Sequence, residues 1–285
     1  KRQVLLKNEG GLLPFGPQVE SILLVGPTAH PPVLGGGGSS QTEPFTSVSL
    51  LEGLANHDGG RVPVHYLRGI PSLADMVAAT EFQTAASDGE PGMRAEYFEN
   101  PSLEGEPAIA RVEPRVQVGT SAMPDLPEGV QSSRWTGYYT PQAAGAHDFF
   151  VGSNGDLGGL FRLSVDDQVV IDNWNENQAL LGYATVTLDA TPHKVVLEHH
   201  GRPKWPPTRI ELGVSRQGDR VDPAALALAA KVDVVVVAAG FDASTESESA
   251  DRTFKLPPAQ DELIQAMVAA NPKTVVVTTG GGNYD

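Results

Sequence analysis

Two short runs made wholly of apolar residues, Ile22–Val25 and 234–237, stand near opposite ends of this chain. A strand that is apolar at every position has no face to give to water. Both runs therefore require the interior of a sheet covered on its two sides, the situation of a parallel sheet flanked by helices. Between them the pattern is of another kind. From Gly92 onward apolar and polar residues alternate with period two and turn residues recur at short intervals, the signature of strands with one buried face. Phe161, Leu163 and Val165 alternate with polar neighbours, Asp166 and Asp167 supply a turn, and Val169 and Ile171 resume the apolar face. Val195 and Leu197, and then Ile210, Leu212 and Val214, repeat the pattern. No helical spacing interrupts it, which predicts an antiparallel β-sandwich or barrel over 92–217.

The flanks read as one α/β domain in two parts, 1–91 and 218–285. Gly26 and Pro27 close the first apolar strand. Leu50, Leu51 and Leu54 then recur at helical spacing up to Gly59 and Gly60, and a second strand is expected at 62–66. Beyond the insert, Asp222 is suited to cap a helix that starts at Pro223, with Leu226, Ala229 and Ala230 on its inner face. Leu263, Ile264, Met267 and Val268 mark a further helix face ended by Asn271 and Pro272, and a second buried strand follows at 274–278. The fold class is thus α/β plus all-β, a mostly parallel α/β sandwich interrupted by an antiparallel β-sandwich. The stretches 87–91 and 217–219 form the exits to the insert.

Length and charge set bounds on function. A chain of 285 residues with 40% hydrophobic content supports two packed bodies. Its 35 acidic against 20 basic residues give a net charge of -15, which repels nucleic-acid backbones and anionic lipid, so neither is expected as a partner. No apolar run is long enough to cross a bilayer, and the first eight residues lack a signal-peptide pattern. The absence of cysteine excludes disulfides, thiolate metal sites and cysteine nucleophiles, and is compatible with either redox compartment.

Ligands of open α/β sheets bind beyond the carboxyl ends of the strands, which directs attention to the loop that leaves the second apolar run. That loop holds Glu246, Glu248 and Asp251 beside Arg252. The glycine-rich stretch 35–40 lacks the Lys-Ser/Thr ending of a phosphate cradle and the spacing of a dinucleotide fingerprint, so no nucleotide or other cofactor is expected; its glycines suit close approach of backbone to a ligand or a neighbouring domain. His199 and His200 are adjacent on a strand and point to opposite faces, which argues against a metal site. Trp135 and Trp174 are expected in the core. Trp205, between Lys204 and Pro206, is a candidate for stacking on a ligand ring, the alternative being simple packing.

The flanking motifs carry a resemblance. The segments VLLKNEGGLLPF (4–15), ILLVGPTA (22–29), GGGGSS (35–40), DVVVVAAG (233–240), ESESADR (246–252), LPPAQDELI (256–264) and TVVVTTGGG (274–282) resemble, in the same order, the C-terminal α/β sandwich domain of glycoside hydrolase family 3, the β-glucosidase family. The insert is similar to the protective-antigen-type β-sandwich, through GMRAEYFEN (92–100) and FRLSVDDQVVIDNW (161–174). The paired aspartates of calcium-binding relatives are replaced by Ser153, Asn154, Gly155 and Asp156, so no calcium site is expected.

The resemblance implies a retaining hydrolase of O-glycosidic bonds acting on a β-linked glycoside, with Glu248 as the acid/base residue and Glu246 as the alternative. Ser249 and Ala250 stand where the family has a glycine and one further residue. Asp251 and Arg252 are expected to anchor the loop as an ion pair or backbone clamp. Complete members carry an N-terminal barrel that supplies the nucleophilic aspartate; nothing in this chain resembles it. The chain is therefore expected to be an inactive internal piece of a larger enzyme, its insert walling the outer subsites. The competing expectation is a noncatalytic carbohydrate-binding or adhesion module, and assembly into a homo-oligomer is left open.

Overall fold

The computed structural model describes residues 3–35, 42–118, 129–153, 160–174, 180–200, 210–248, 252 and 254–283. The first apolar run is β1 (Ile22–Val25) and the second opens β13 (Val234–Gly240). They pair in parallel, Ile22 opposite Val234 and Val25 opposite Val237. With β2 (Val64–Leu67) and β14 (Thr274–Thr279) they form a four-stranded parallel sheet in the order β14-β13-β1-β2. Every residue of β1 and β13 is buried because helices cover both faces. On one face Leu23, Val25, Val235 and Val237 pack with α3 (Pro223–Ala229) and α4 (Gln260–Ala270). On the other, Ile22, Leu24, Val234 and Val236 meet Leu50, Leu51 and Leu54 of α1 (Leu50–Asn56).

Local chemistry sets the helix starts. Ser49 and Glu52 form a capping box at α1, and Ser72 with Asp75 does the same at α2 (Leu73–Ala79). Asp222 caps α3 by accepting from the N–H of Ala224, with Pro223 in the first turn as expected.

The middle of the chain forms two antiparallel sheets. One has the order β4-β3-β6-β11-β8-β9, from β3 (Met93–Phe98), β4 (Ile109–Glu113), β6 (Ser132–Tyr139), β8 (Leu160–Val165), β9 (Gln168–Asn173) and β11 (His193–His200). The other has the order β10-β7-β12-β5, from β5 (Gln117–Val118), β7 (Gly145–Ser153), β10 (Leu181–Leu188) and β12 (Ile210–Arg216). Their inner faces enclose one core with Trp135, Phe149, Phe161, Leu163, Leu197 and Leu212. Asp166 and Asp167 both take positive φ, at 48° and 63°, as a two-residue hairpin turn requires. α2 packs against β12, where the Thr80 hydroxyl accepts from the N–H of Val214 at 2.8 Å.

Several sequence expectations need correction. The second strand starts at Val64, not residue 62, because Pro63 has no N–H for the ladder; its carbonyl instead accepts from Ile22. Val169 lies 52% exposed: β9 is an edge strand, and a register shift after Leu163 carries Ile171 rather than Val169 into the core. Ala230 is the exposed cap of α3, whose buried pair is Ala225 and Ala229, at the i, i+4 spacing of one helix face. On α4 Leu263 and Met267 are buried while Val268 turns to solvent. β14 is an edge strand, and so half exposed instead of buried. Trp135 is in the core, but Trp174 is only half-buried, since its ring stands beside His200 and the Arg162 guanidinium, with centroid distances of 4.5 Å and 4.8 Å.

Candidate functional site

β13 and β1 deliver their loops to the carboxyl edge of the parallel sheet, and glycine at each strand end permits the exit. A Cβ on Gly26, at φ 124°, would lie 2.0 Å from the carbonyl oxygen of Ala238; one on Gly240, at φ 115°, would lie 2.0 Å from that of Thr279. The amide of Gln260, at the start of α4, holds the end of β13. It accepts from the N–H of Gly240 at 2.6 Å and donates to its carbonyl at 2.9 Å.

The chain then turns on Asp242. Its carboxylate accepts from the N–H and hydroxyl of Ser244 at 2.9 and 2.6 Å, and its carbonyl accepts from the N–H of Glu246 at 2.9 Å. This turn presents the two candidate glutamates, and their settings differ. Both oxygens of Glu246 are engaged: Oε1 accepts from Arg252 Nε at 3.0 Å and Oε2 from the N–H of Gly281 at 2.9 Å. Arg252 lies with its guanidinium carbon 3.8 Å from the centre of the Phe241 ring and donates to the carbonyl of Asn283 at 3.0 Å. Glu246 and Arg252 thus brace the loop after β13 to the loop after β14. Arg252 holds the loop through Glu246 and the Asn283 carbonyl; Asp251, expected to anchor the loop with it, lies outside the described residues. Glu248 is exposed on the next turn.

The sandwich approaches this loop from the other side. Ile171, Asn173 and Tyr183, on β9 and β10, face Thr245, Arg252 and Lys255 across a cleft of about 410 Å³ floored by Phe241 and Leu256. No sequence pattern pointed to the β9 and β10 residues, because their proximity depends on how the sandwich is seated. Gln260 carried a signal only in its place in the LPPAQDELI segment.

Trp205, residues 36–40 of the glycine-serine stretch, and Asn154, Gly155 and Asp156 of the turn considered for calcium lie outside the described residues. His199 is buried and His200 stands against Trp174 on the opposite face of β11. Among the described residues no three His, Asp or Glu side chains converge as a metal site would require. No helix among them is long and apolar enough to cross a membrane.

Known proteins are similar to this chain. A β-glucosidase of Rhizobium radiobacter is 31% identical over 301 aligned residues, covering 98% of this chain and 35% of its own. The probable β-glucosidase I of Aspergillus terreus is 29% identical over 311 residues, with the same coverage of 98% and 35%. This chain therefore spans about 35% of the length of the curated relatives it matches. Among solved structures, a β-glucosidase from Streptomyces venezuelae in complex with D-glucose aligns with 99% of this chain and 31% of its own, at TM-score 0.54 and 23% identity, a likeness of fold. The Glycosyl hydrolase family 3 C-terminal domain matches residues 3–285, and with the strand order, the carboxyl-edge loop and these relatives it shows that the chain belongs to glycosyl hydrolase family 3.

Proposed function

We propose that this chain is the acid/base part of a β-glucosidase-like enzyme that hydrolyses O-glycosidic bonds with retention, Glu248 serving as proton donor and a domain outside the chain supplying the nucleophilic carboxylate. The observation that carries the reading is the division between the two glutamates. Glu246 is half-buried and braces two loops, and Glu248 lies on the exposed surface beyond the carboxyl end of β13. The β-glucosidase names of the relatives support the substrate class, a β-linked glucoside.

In the first half-reaction the nucleophile attacks the anomeric carbon while the Glu248 carboxyl gives its proton to the departing glycosidic oxygen, so the leaving group departs as an alcohol. In the second, the Glu248 carboxylate takes a proton from water as that water attacks the same carbon and frees the nucleophile. The cleft against β9 and β10 lies on the leaving-group side, and residues 92–217 act as a wall that limits how long a substrate can be.

The test is Glu248→Ala in the enzyme carrying this chain. Turnover of an alkyl glucoside should fall by about 10² to 10⁴, turnover of an aryl glucoside with a good leaving group should fall less, and azide should restore activity by forming a glucosyl azide of retained configuration. Wild-type turnover in Glu248→Ala, or this same pattern in Glu246→Ala instead, overturns the assignment. Residues 1–285 alone should release nothing from an aryl β-glucoside. Removing 92–217 should change substrate-length preference more than bond cleavage.

A further inference from the structure

We propose that Arg220 is a positioning residue whose guanidinium locks the sandwich at one setting over the loop after β13 and thereby fixes the width of the cleft. The sandwich joins the parallel layer through two connections that run side by side, the N–H of Asp222 donating to the carbonyl of Gly69 at 2.9 Å. α2 packs on β12 and so travels with the sandwich; among the described residues no strand of the parallel sheet, and none of α1, α3 and α4, packs broadly on a strand of the sandwich. Bodies joined by a paired linker and little shared surface move against each other unless something ties them.

Arg220 is that tie. Its side chain is only 5% exposed, and it bridges the two bodies. Nη1 donates to Asp148 on β7 at 2.6 Å, while Nη2 donates to Glu262 on α4 and Nε reaches the same carboxylate at 3.3 Å. Asp148 is itself pinned, its other oxygen accepting from Thr185 Oγ1 at 2.5 Å and Gln217 Nε2 at 2.9 Å. Glu262 also accepts from the N–H of Gly218 in the linker at 3.3 Å. It lies in the first turn of α4, two residues past the Gln260 that grips Gly240. Polar contacts, joined by the first turn of α4, therefore link a sandwich strand to the strand end that carries the candidate acid/base loop. A planar guanidinium fixes angle as well as distance, which an ammonium does not. A buried charge also resists being left half-paired, so the lock favours fully closed over partly open.

The lock rests on this geometry alone; its effect on substrate choice rests on the reading of the cleft as the outer part of the sugar site. The chain has no cysteine, so Val169→Cys on β9 and Val268→Cys on α4, both exposed, give a clean pair of spin labels across the two bodies. The label distance should be narrow in the parent and roughly twice as broad in Arg220→Met, with Arg220→Lys between them. Glu262→Ala should broaden it as well, and it decides the matter if Arg220→Met does not fold. A parent-like narrow distance in the folded variants overturns the lock. In the enzyme, Arg220→Met should shift KM for a β-linked glucotriose about fivefold and leave kcat on an aryl β-glucoside within about twofold. A broadened distance with unchanged KM keeps the lock and removes the wall reading.

Discussion

On the parallel sheet the inward side chains are hydrocarbon: Leu23, Val25, Val235 and Val237 meet the helices on one face, and Ile22, Leu24, Val234 and Val236 on the other. The sandwich has as many aliphatic and aromatic residues inside, yet it also encloses Glu113, Ser133, Asn173 and His199. Glu113 is fully partnered, taking bonds from the Tyr97 hydroxyl at 2.5 Å, Arg111 at 2.7 Å and the Trp135 indole N–H at 2.9 Å. Burial and the Glu113 carboxylate together push the Tyr97 hydroxyl well above its usual range, so it stays a donor. Both ring nitrogens of His199 are buried and have no hydrogen-bond partner among the described residues. A core of hydrocarbon is indifferent to protonation, whereas a core with polar groups is stable only under conditions that keep their charge states.

The comparison breaks most readily at Glu113. Glu113→Ala strips the partner from a buried indole and a buried phenol at once and should cost the sandwich about 3 to 5 kcal/mol. Denaturant unfolding followed by tryptophan fluorescence would read this; a loss below about 1 kcal/mol would mean that the network is ornamental to the core. On the other side, Leu23→Ala should cost the parallel layer about 3 kcal/mol, by the same amount at pH 5 and pH 8, because only methyl groups are lost. A pH-dependent penalty there would erase the contrast.

His199 sharpens it. Burial first, and then the neighbouring His200 charge, hold its imidazole down at about 3, below the ordinary value of 6.5. The folded state therefore keeps His199 neutral while the unfolded chain takes up a proton below pH 6.5. Stability is complete above that pH and falls on acidification down to about 3, by about 1.4 kcal/mol per pH unit. Between pH 6.5 and pH 4.5 the sandwich should lose about 2 to 3 kcal/mol, and His199→Leu should flatten this part of the profile. An identical slope in the variant would assign the acid sensitivity elsewhere. The smallest effect is expected at the β9 edge, where Val169→Thr on an exposed position should stay within about 0.5 kcal/mol.

The buried strands were legible because full burial leaves no polar residue in the run, as in β1 and the first half of β13. The Asp222-Pro223 helix start was legible because a cap acts within one turn. Edge status was not: Val169 and Val276 read like core residues, and their exposure follows from strand order, a tertiary property. At the site, the motif resemblance singled out Glu248, with Glu246 as the alternative. The bracing contacts of Glu246 were hidden, because they depend on Arg252 and Gly281 arriving from different loops. Trp174 misled for a similar reason, since its solvated setting is made by Arg162 and His200 on other strands.

The pairing of Gly69 with Asp222 bears on how such a polypeptide came to be. Where outgoing and returning backbone touch, a gene can acquire or shed the whole intervening passenger without disturbing the order of the strands beneath it. Arg220, two residues before that junction, is then the adaptation that turned a tolerated guest into a fixture.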